Sequence, residues 1–194
     1  MKKIKNILLV TFLLLITSLG VLYSPDIPVS ELKKKYSNEF SKFTSIDGMD
    51  VHYRDEGIGD AIVLLHGTGA SLHTWDIWTE KLKKNYRVIR LDLPAYGLTG
   101  PHPKNKYSIP EYSSFLDSFA NSLGLENFIL AGNSLGGAIA WYYASEFPSK
   151  VKLLSLLNPG GVSKKTDDSP LVFRLARAPI IKDVLRYVTP RFFI

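Results

Sequence analysis

Phe128-Ile129-Leu130-Ala131-Gly132-Asn133-Ser134-Leu135-Gly136-Gly137-Ala138-Ile139-Ala140 decides the fold. It reads as a short apolar strand, a very sharp turn and a helix. The turn carries Gly132-Asn133-Ser134-Leu135-Gly136, a G-x-S-x-G pattern in which the serine takes a strained backbone position and its hydroxyl stands clear of the sheet. Side chains at Gly132 and Gly136 would collide with their neighbours, so both flanks are glycine. The positive end of the helix then faces any oxyanion formed at the serine. Gly137 and two alanines let that helix pack tightly.

Outward from this stretch, strands alternate with helices. Residues 43–46 and 49–54 read as a strand pair joined by the hairpin dipeptide Asp47-Gly48. Ala61-Ile62-Val63-Leu64-Leu65 is a continuous apolar run, as in a strand buried on both faces. The spacing predicts a helix over 72–84, with Leu72, Trp75, Trp78 and Leu82 on one stripe. Residues 86–91 form another strand. Residues 110–123 are helical, with Tyr112, Phe115, Leu116 and Phe119 on one face and Gly124 as the stop. The helix after Ser134 is ended by Pro148, and 151–157 is a further buried strand. The expectation is an α/β fold: a mostly parallel sheet with helices on both faces.

The N-terminus has a different character. Met1-Lys2-Lys3-Ile4-Lys5 is basic, and residues 7–23 follow without a charge. As a helix that stretch spans about 25 Å, near the lower limit for a hydrocarbon core of about 30 Å. An uncleaved transmembrane anchor over 1–23 is the favoured expectation, with a cleavable signal peptide and secretion as the alternative. Lys2, Lys3 and Lys5 favour a cytoplasmic N-terminus, with the domain outside the cytoplasm in a single-pass topology; Lys33-Lys34-Lys35 weakens that signal. Pro25 and Pro28 break the apolar helix, and 24–40 reads as a linker.

Charge and composition exclude several classes. The net charge of +6 sits at the two ends. Residues 1–40 carry six basic and three acidic groups, 41–163 eleven and twelve, and 164–194 seven and three. A neutral central domain without a basic aromatic face argues against a nucleic-acid partner. No cysteine is present, which excludes disulfides and thiolate zinc sites. His52, His66, His73 and His102 are scattered, so neither a metal nor a cofactor is expected.

Residues 41–163 resemble the N-terminal part of an α/β-hydrolase fold domain. Three motifs in order carry the resemblance. His66-Gly67-Thr68-Gly69 follows the buried strand, where that family has its oxyanion loop. Asp92-Leu93-Pro94-Ala95-Tyr96-Gly97-Leu98-Thr99-Gly100 is similar to the family's D-x-P-G-x-G-x-S turn, with Ala95 in place of a glycine and Thr99 in place of a serine. The G-x-S-x-G turn is the family's nucleophile elbow.

Ser134 is thus the expected nucleophile, attacking a carbonyl carbon to form an acyl intermediate. The backbone N–H of Leu135 and, as the resemblance implies, that of Thr68 would hold the oxyanion. His66 matches a residue that in the family organises the loop. His73 and His102 are expected at the surface or a pocket rim, and Asp92 is expected to stabilise its own turn. The family's triad runs serine, acid, histidine, but no histidine follows Ser134. Asn158 stands where some relatives place the acid. Asp167, Asp168 and Asp183 lie in 164–194, which resembles the start of a helical cap.

The expectation is a piece of a longer serine hydrolase, largely inactive as it stands. Its substrate would be a small ester or related acyl or carbonyl compound with an apolar group. Thioesters, lactones and carbon–carbon bonds next to a ketone stay open. A serine here disfavours the dehalogenase and epoxide hydrolase branches, whose nucleophile is aspartate. Two alternatives remain. One is a membrane-tethered, non-catalytic binding protein on the same fold. The other is a dinucleotide-binding domain, suggested by Gly67-Thr68-Gly69 after a strand and by Asp92 ending the next, although Leu72 replaces the third glycine.

Overall fold

The computed structural model describes residues 2–23, 27–161 and Ala178. The expected cap over 164–194 lies outside the described residues except for Ala178. Two compact units are present, and residues 29–163 form the larger.

In the smaller unit, α1 (Lys2–Leu22) is the apolar helix. Its stretch Lys3–Leu22 has a mean hydropathy of 2.1, and by length and composition it is able to cross a membrane.

The larger unit is built on six strands: β1 (Ser41–Ile46), β2 (Met49–Glu56), β3 (Ala61–Leu65), β4 (Arg87–Leu91), β5 (Phe128–Asn133) and β6 (Val151–Leu157). They form one sheet in the order β1-β2-β4-β3-β5-β6. β4, β3, β5 and β6 run parallel, while β1 and β2 form an antiparallel hairpin at one edge. Asp47 and Gly48 both take positive φ at the hairpin turn, which matches the twist of the strands.

The helices are α2 (Val29–Tyr36), α3 (Asp76–Leu82), α4 (Ile109–Ser122) and α5 (Leu135–Glu146). Along β3 the side chains alternate between two cores. Val63 and Leu65 join Tyr112, Phe115, Phe119, Ile139 and Tyr143 under α4 and α5. Ile62 and Leu64 join Trp75, Val88 and Ala131 on the other face.

The helix predicted over 72–84 divides in two. Leu72–Trp75 is a single 3-10 turn, and α3 proper is short. Its stripe also differs from expectation: Leu72 and Trp75 are buried, but Trp78 is half exposed. The tight first turn follows from Asp92, whose carboxylate accepts the Leu72 N–H at 2.8 Å and fixes where the turn begins.

The sheet positions the site by register. Leu65, the last residue of β3, lies beside Gly132 in β5. Parallel neighbours turn at the same edge, so the loop after β3 and the turn at Ser134 leave the sheet side by side.

Candidate active site

Ser134 occupies the turn between β5 and α5 with φ 50 and ψ −112, a conformation that L-residues rarely adopt. Neighbouring backbone holds it there. The Ser134 N–H donates to the Leu157 carbonyl at 3.1 Å, and the Ser134 carbonyl accepts from Ala138 at 3.0 Å and Gly160 at 2.8 Å. The Asn133 side-chain amide donates to the same Leu157 carbonyl at 3.1 Å. A Cβ at Gly132 would overlap the Gly136 carbonyl, and one at Gly136 would overlap the Leu65 carbonyl. The two glycines are therefore what lets strand, helix and the neighbouring loop close around the serine. Leu135 is the first residue of α5, and its N–H is among those that a helix leaves without an internal partner.

The loop after β3 lies against Ser134. A Cβ on Gly67 would sit 3.1 Å from Ser134 Cβ and 3.0 Å from Asn133 Oδ1, which is tighter than ordinary packing allows. Gly67 is thus brought against the turn at Ser134, and Thr68, exposed, follows it directly in the chain.

His66 is fully buried and both ring nitrogens are engaged. Nε2 accepts the Leu93 N–H at 3.0 Å, so the ring proton is on Nδ1, which donates to the Gly67 carbonyl at 2.8 Å. Burial holds its pKa below the usual histidine value, with the Gly67 carbonyl and Asp92 opposing only in part. A neutral imidazole with no free nitrogen is a loop brace, not a base.

Asp92 ties the region together. One carboxylate oxygen accepts the Leu72 N–H; the other accepts the Leu98 N–H at 2.9 Å and lies 2.8 Å from His52 Nδ1. Burial alone would raise its pKa, but the hydrogen bonds from His52, Leu72 and Leu98 outweigh burial and hold it below the ordinary carboxylate value. Thr99 Oγ1 donates to the Asp92 carbonyl at 2.7 Å and accepts the His52 N–H at 3.0 Å, work that a serine hydroxyl could also do.

His52 had no motif to mark it in the sequence. It is fully buried, and its Nε2 lies 2.9 Å from Ser41 Oγ. His102 corrects an expectation: it is only 5% exposed, and its Nδ1 accepts the Lys104 N–H at 3.0 Å. Its backbone N–H is held by the Tyr107 hydroxyl, which draws the segment inward. His73 is half-buried beside Arg54. Asn158 stands just past β6 at φ 45. Among the described residues no cluster of three potential metal ligands occurs.

A family model described as alpha/beta hydrolase fold matches residues 60–188. The chain belongs to the α/β-hydrolase fold family. An uncharacterized protein of Mycobacterium tuberculosis is 35% identical over 139 residues, covering 72% of this chain and 40% of that protein. The 2-hydroxy-6-oxo-2,4-heptadienoate hydrolase of Pseudomonas putida is 30% identical over 133 residues, covering 67% of this chain and 48% of the enzyme. The chain thus spans about half, or less, of the length of these curated relatives. Among solved structures, a membrane phospholipase A described as a bacterial virulence factor superimposes with a TM-score of 0.67 at 28% identity, over 94% of this chain and 63% of its own. An N-acyl homoserine lactone degrading enzyme does so with a TM-score of 0.58 at 27% identity, over 61% and 46%.

Membership in the α/β-hydrolase fold family removes the footing of the dinucleotide alternative. Gly67-Thr68-Gly69 leads into a four-residue 3-10 turn, not a helix N-terminus, and Gly67 packs on Ser134.

Proposed function

We propose that this α/β-hydrolase chain carries the nucleophile and oxyanion site of a serine-dependent hydrolase. Ser134 is the nucleophile, and the N–H groups of Leu135 and Thr68 receive the oxyanion. The observation that carries this reading is the strained Ser134 backbone with the Gly67 loop packed against it. The strain costs on the order of 1–3 kcal/mol, and a hydroxyl held out of the sheet is what that cost would serve. The substrate would be a small ester or related acyl or carbonyl compound with an apolar part. The relatives' names support that class: one acts on an unsaturated oxo acid, one degrades an acyl lactone and one is a phospholipase.

No histidine follows Ser134, and the two nitrogens of His66 are committed. A positioned general base contributes about 10²–10⁴ in rate. The 194-residue chain by itself is therefore proposed to turn over esters slowly. We also propose that α1 anchors the chain in the cytoplasmic membrane with the domain outside the cytoplasm.

Labelling with a fluorophosphonate, followed by peptide mapping, tests the nucleophile. Modification is expected at Ser134, slow because no histidine follows it to activate its hydroxyl and His66 is committed, and absent in Ser134→Ala. Equal labelling of Ser134→Ala would sink the assignment. Ester hydrolysis by this chain at rates typical of complete serine hydrolases would overturn the proposed slowness.

A further inference from the structure

We propose that the face of the domain bearing Tyr36, Phe40, Ile77 and Trp78 lies on the surface of an anionic lipid bilayer, with the lysines of α2 and α3 at the headgroups. This rests on the reading of α1 as a membrane anchor.

The first argument is reach. α1 ends at Leu22 and α2 begins at Val29. The seven peptide steps between them extend at most about 25 Å. With α1 in a bilayer, α2 cannot leave the neighbourhood of its surface.

The second argument is adjacency within the domain. Tyr36, the last residue of α2, has its carbonyl 3.0 Å from an Arg54 guanidinium nitrogen that also lies 3.1 Å from His73. The rings of Tyr36 and His73 meet edge to face at 6.1 Å. Arg54 also lies 3.7 Å from Asp76, the first residue of α3. Beyond the other end of α3, the Lys83 ammonium is 5.8 Å from the Phe40 ring. α2, the turn after it and α3 therefore share one surface.

The third argument is what that surface exposes. Ile77 is 74% exposed, Trp78 49%, Phe40 40% and Tyr36 37%. Trp75 already fills the core position that faces the sheet, so Trp78 stands outward on top of it at 5.8 Å. Exposed Trp and Tyr beside aliphatic side chains and lysines are the composition of a membrane interface, where amphipathic rings sit at the headgroup level. Residues 29–40 and 76–84 carry six lysines against four acids. Two of those acids are taken: Glu80 by Lys83 at 2.6 Å, and Asp76 by Arg90. With Lys33 paired to Asp50 at 2.7 Å, the exposed Lys34, Lys35, Lys81 and Lys84 stand against the exposed Glu31 and Glu39, which leaves a net positive rim. Each lysine near an anionic surface favours the docked state by on the order of fivefold.

The test uses the full chain reconstituted into phosphatidylcholine vesicles, with and without phosphatidylglycerol. The phosphatidylcholine is brominated near the headgroup end of its acyl chains. Tryptophan quenching reports contact with lipid, and retention after alkaline carbonate washing reports the anchor independently. The expected result is retention together with quenching that is stronger with phosphatidylglycerol. Trp78→Phe should lose most of that quenching, because Trp75 is buried and Trp141, 37% exposed, stands on α5 on the opposite face of the sheet. Lys81→Glu combined with Lys84→Glu should abolish the dependence on phosphatidylglycerol while Trp78 is still present. Retention with no quenching, or with quenching unchanged in Trp78→Phe, would overturn the docking surface and leave the anchor standing. Release by carbonate with no quenching would overturn both. Cross-linking of position 81 to a second copy of the chain, in place of quenching, would assign the face to self-association and overturn its assignment to lipid.

Discussion

Ser134 and Ala95 both have positive φ, for different reasons. Ser134 is held at φ 50 by three backbone hydrogen bonds between strand and helix. Ala95, at φ 74, stands where the family's turn has glycine, and the chain bears the steric cost of a Cβ there. That cost is about 1–2 kcal/mol, against which a glycine loses roughly 0.5–1 kcal/mol in unfolded-state entropy. Ala95→Gly is therefore expected to stabilise the fold by up to about 1.5 kcal/mol, read as a higher urea midpoint; a lower midpoint would refute the strain. His66 makes a second residue-scale prediction. Its folded pKa lies below its unfolded value near 6.5, so below that pH the unfolded chain binds a proton that the folded chain refuses. Stability should fall as pH drops from 7 toward the depressed folded pKa, by at most about 1.4 kcal/mol per pH unit for this group. His66→Gln should remove part of that slope, and an unchanged slope would exclude His66 as its source. The glycines around Ser134 made the turn legible in the sequence. His52 was not legible: β2 buries residues on both faces, so no alternation set His52 apart from its neighbours.

At the scale of elements, periodicity was read correctly wherever packing alone decides. β3 and the apolar face of α4 stand where the sequence put them. β6 has the expected bounds but is not the buried strand expected: it is the last strand of the sheet order, and Leu153 and Leu156 are 54% and 41% exposed. Ends were misplaced where a distant side chain decides. β2 runs two residues past its predicted end at Arg54, because Glu56 meets Arg90 of β4 at 2.7 Å with both side chains 4% exposed. α4 begins one residue early because Ser108 caps it. The Ser108 hydroxyl accepts the Glu111 N–H at 3.4 Å, and the Glu111 carboxylate accepts the Ser108 N–H at 2.9 Å. This reciprocal box satisfies two N–H groups that the helix would otherwise leave bare. Ser108→Ala is expected to cost about 1 kcal/mol in thermal or urea unfolding. Ser108→Thr, which keeps a hydroxyl both to accept the Glu111 N–H and to donate to the Glu111 carboxylate, should lose much less. Equal losses would mean that the cap does not hold the first turn of α4.

At the scale of the whole molecule, residues remote in sequence converge on β4's end. Asp92 receives the N–H of Leu72 and Leu98 and meets His52, while the next residue, Leu93, donates to His66. The loop over 66–72 is thus fastened at both ends by two consecutive residues, and between those ends it carries Gly67 onto Ser134. The order of strands and helices was legible because each leaves its own local period. This clamp was not, because it joins positions 52, 66, 72, 92 and 98, which share no local pattern. Asp92→Asn tests it. An amide cannot accept on both sides: its NH2 would confront one of the N–H groups that the second oxygen now receives. Leaving one of these buried N–H groups without its acceptor costs about 1–3 kcal/mol. Because Asp92's folded pKa lies below the ordinary value, its contribution is fully present above the unfolded pKa near 3.8 and is lost as pH falls through the folded value. The gap in urea midpoint between the native chain and Asp92→Asn should therefore be wide at pH 7 and close as pH falls below about 4. If the loop depends on the clamp, fluorophosphonate labelling of Ser134 should also slow in Asp92→Asn under conditions where the variant remains folded. A variant that loses stability but labels at the native rate would leave Asp92 as support for the sheet edge alone.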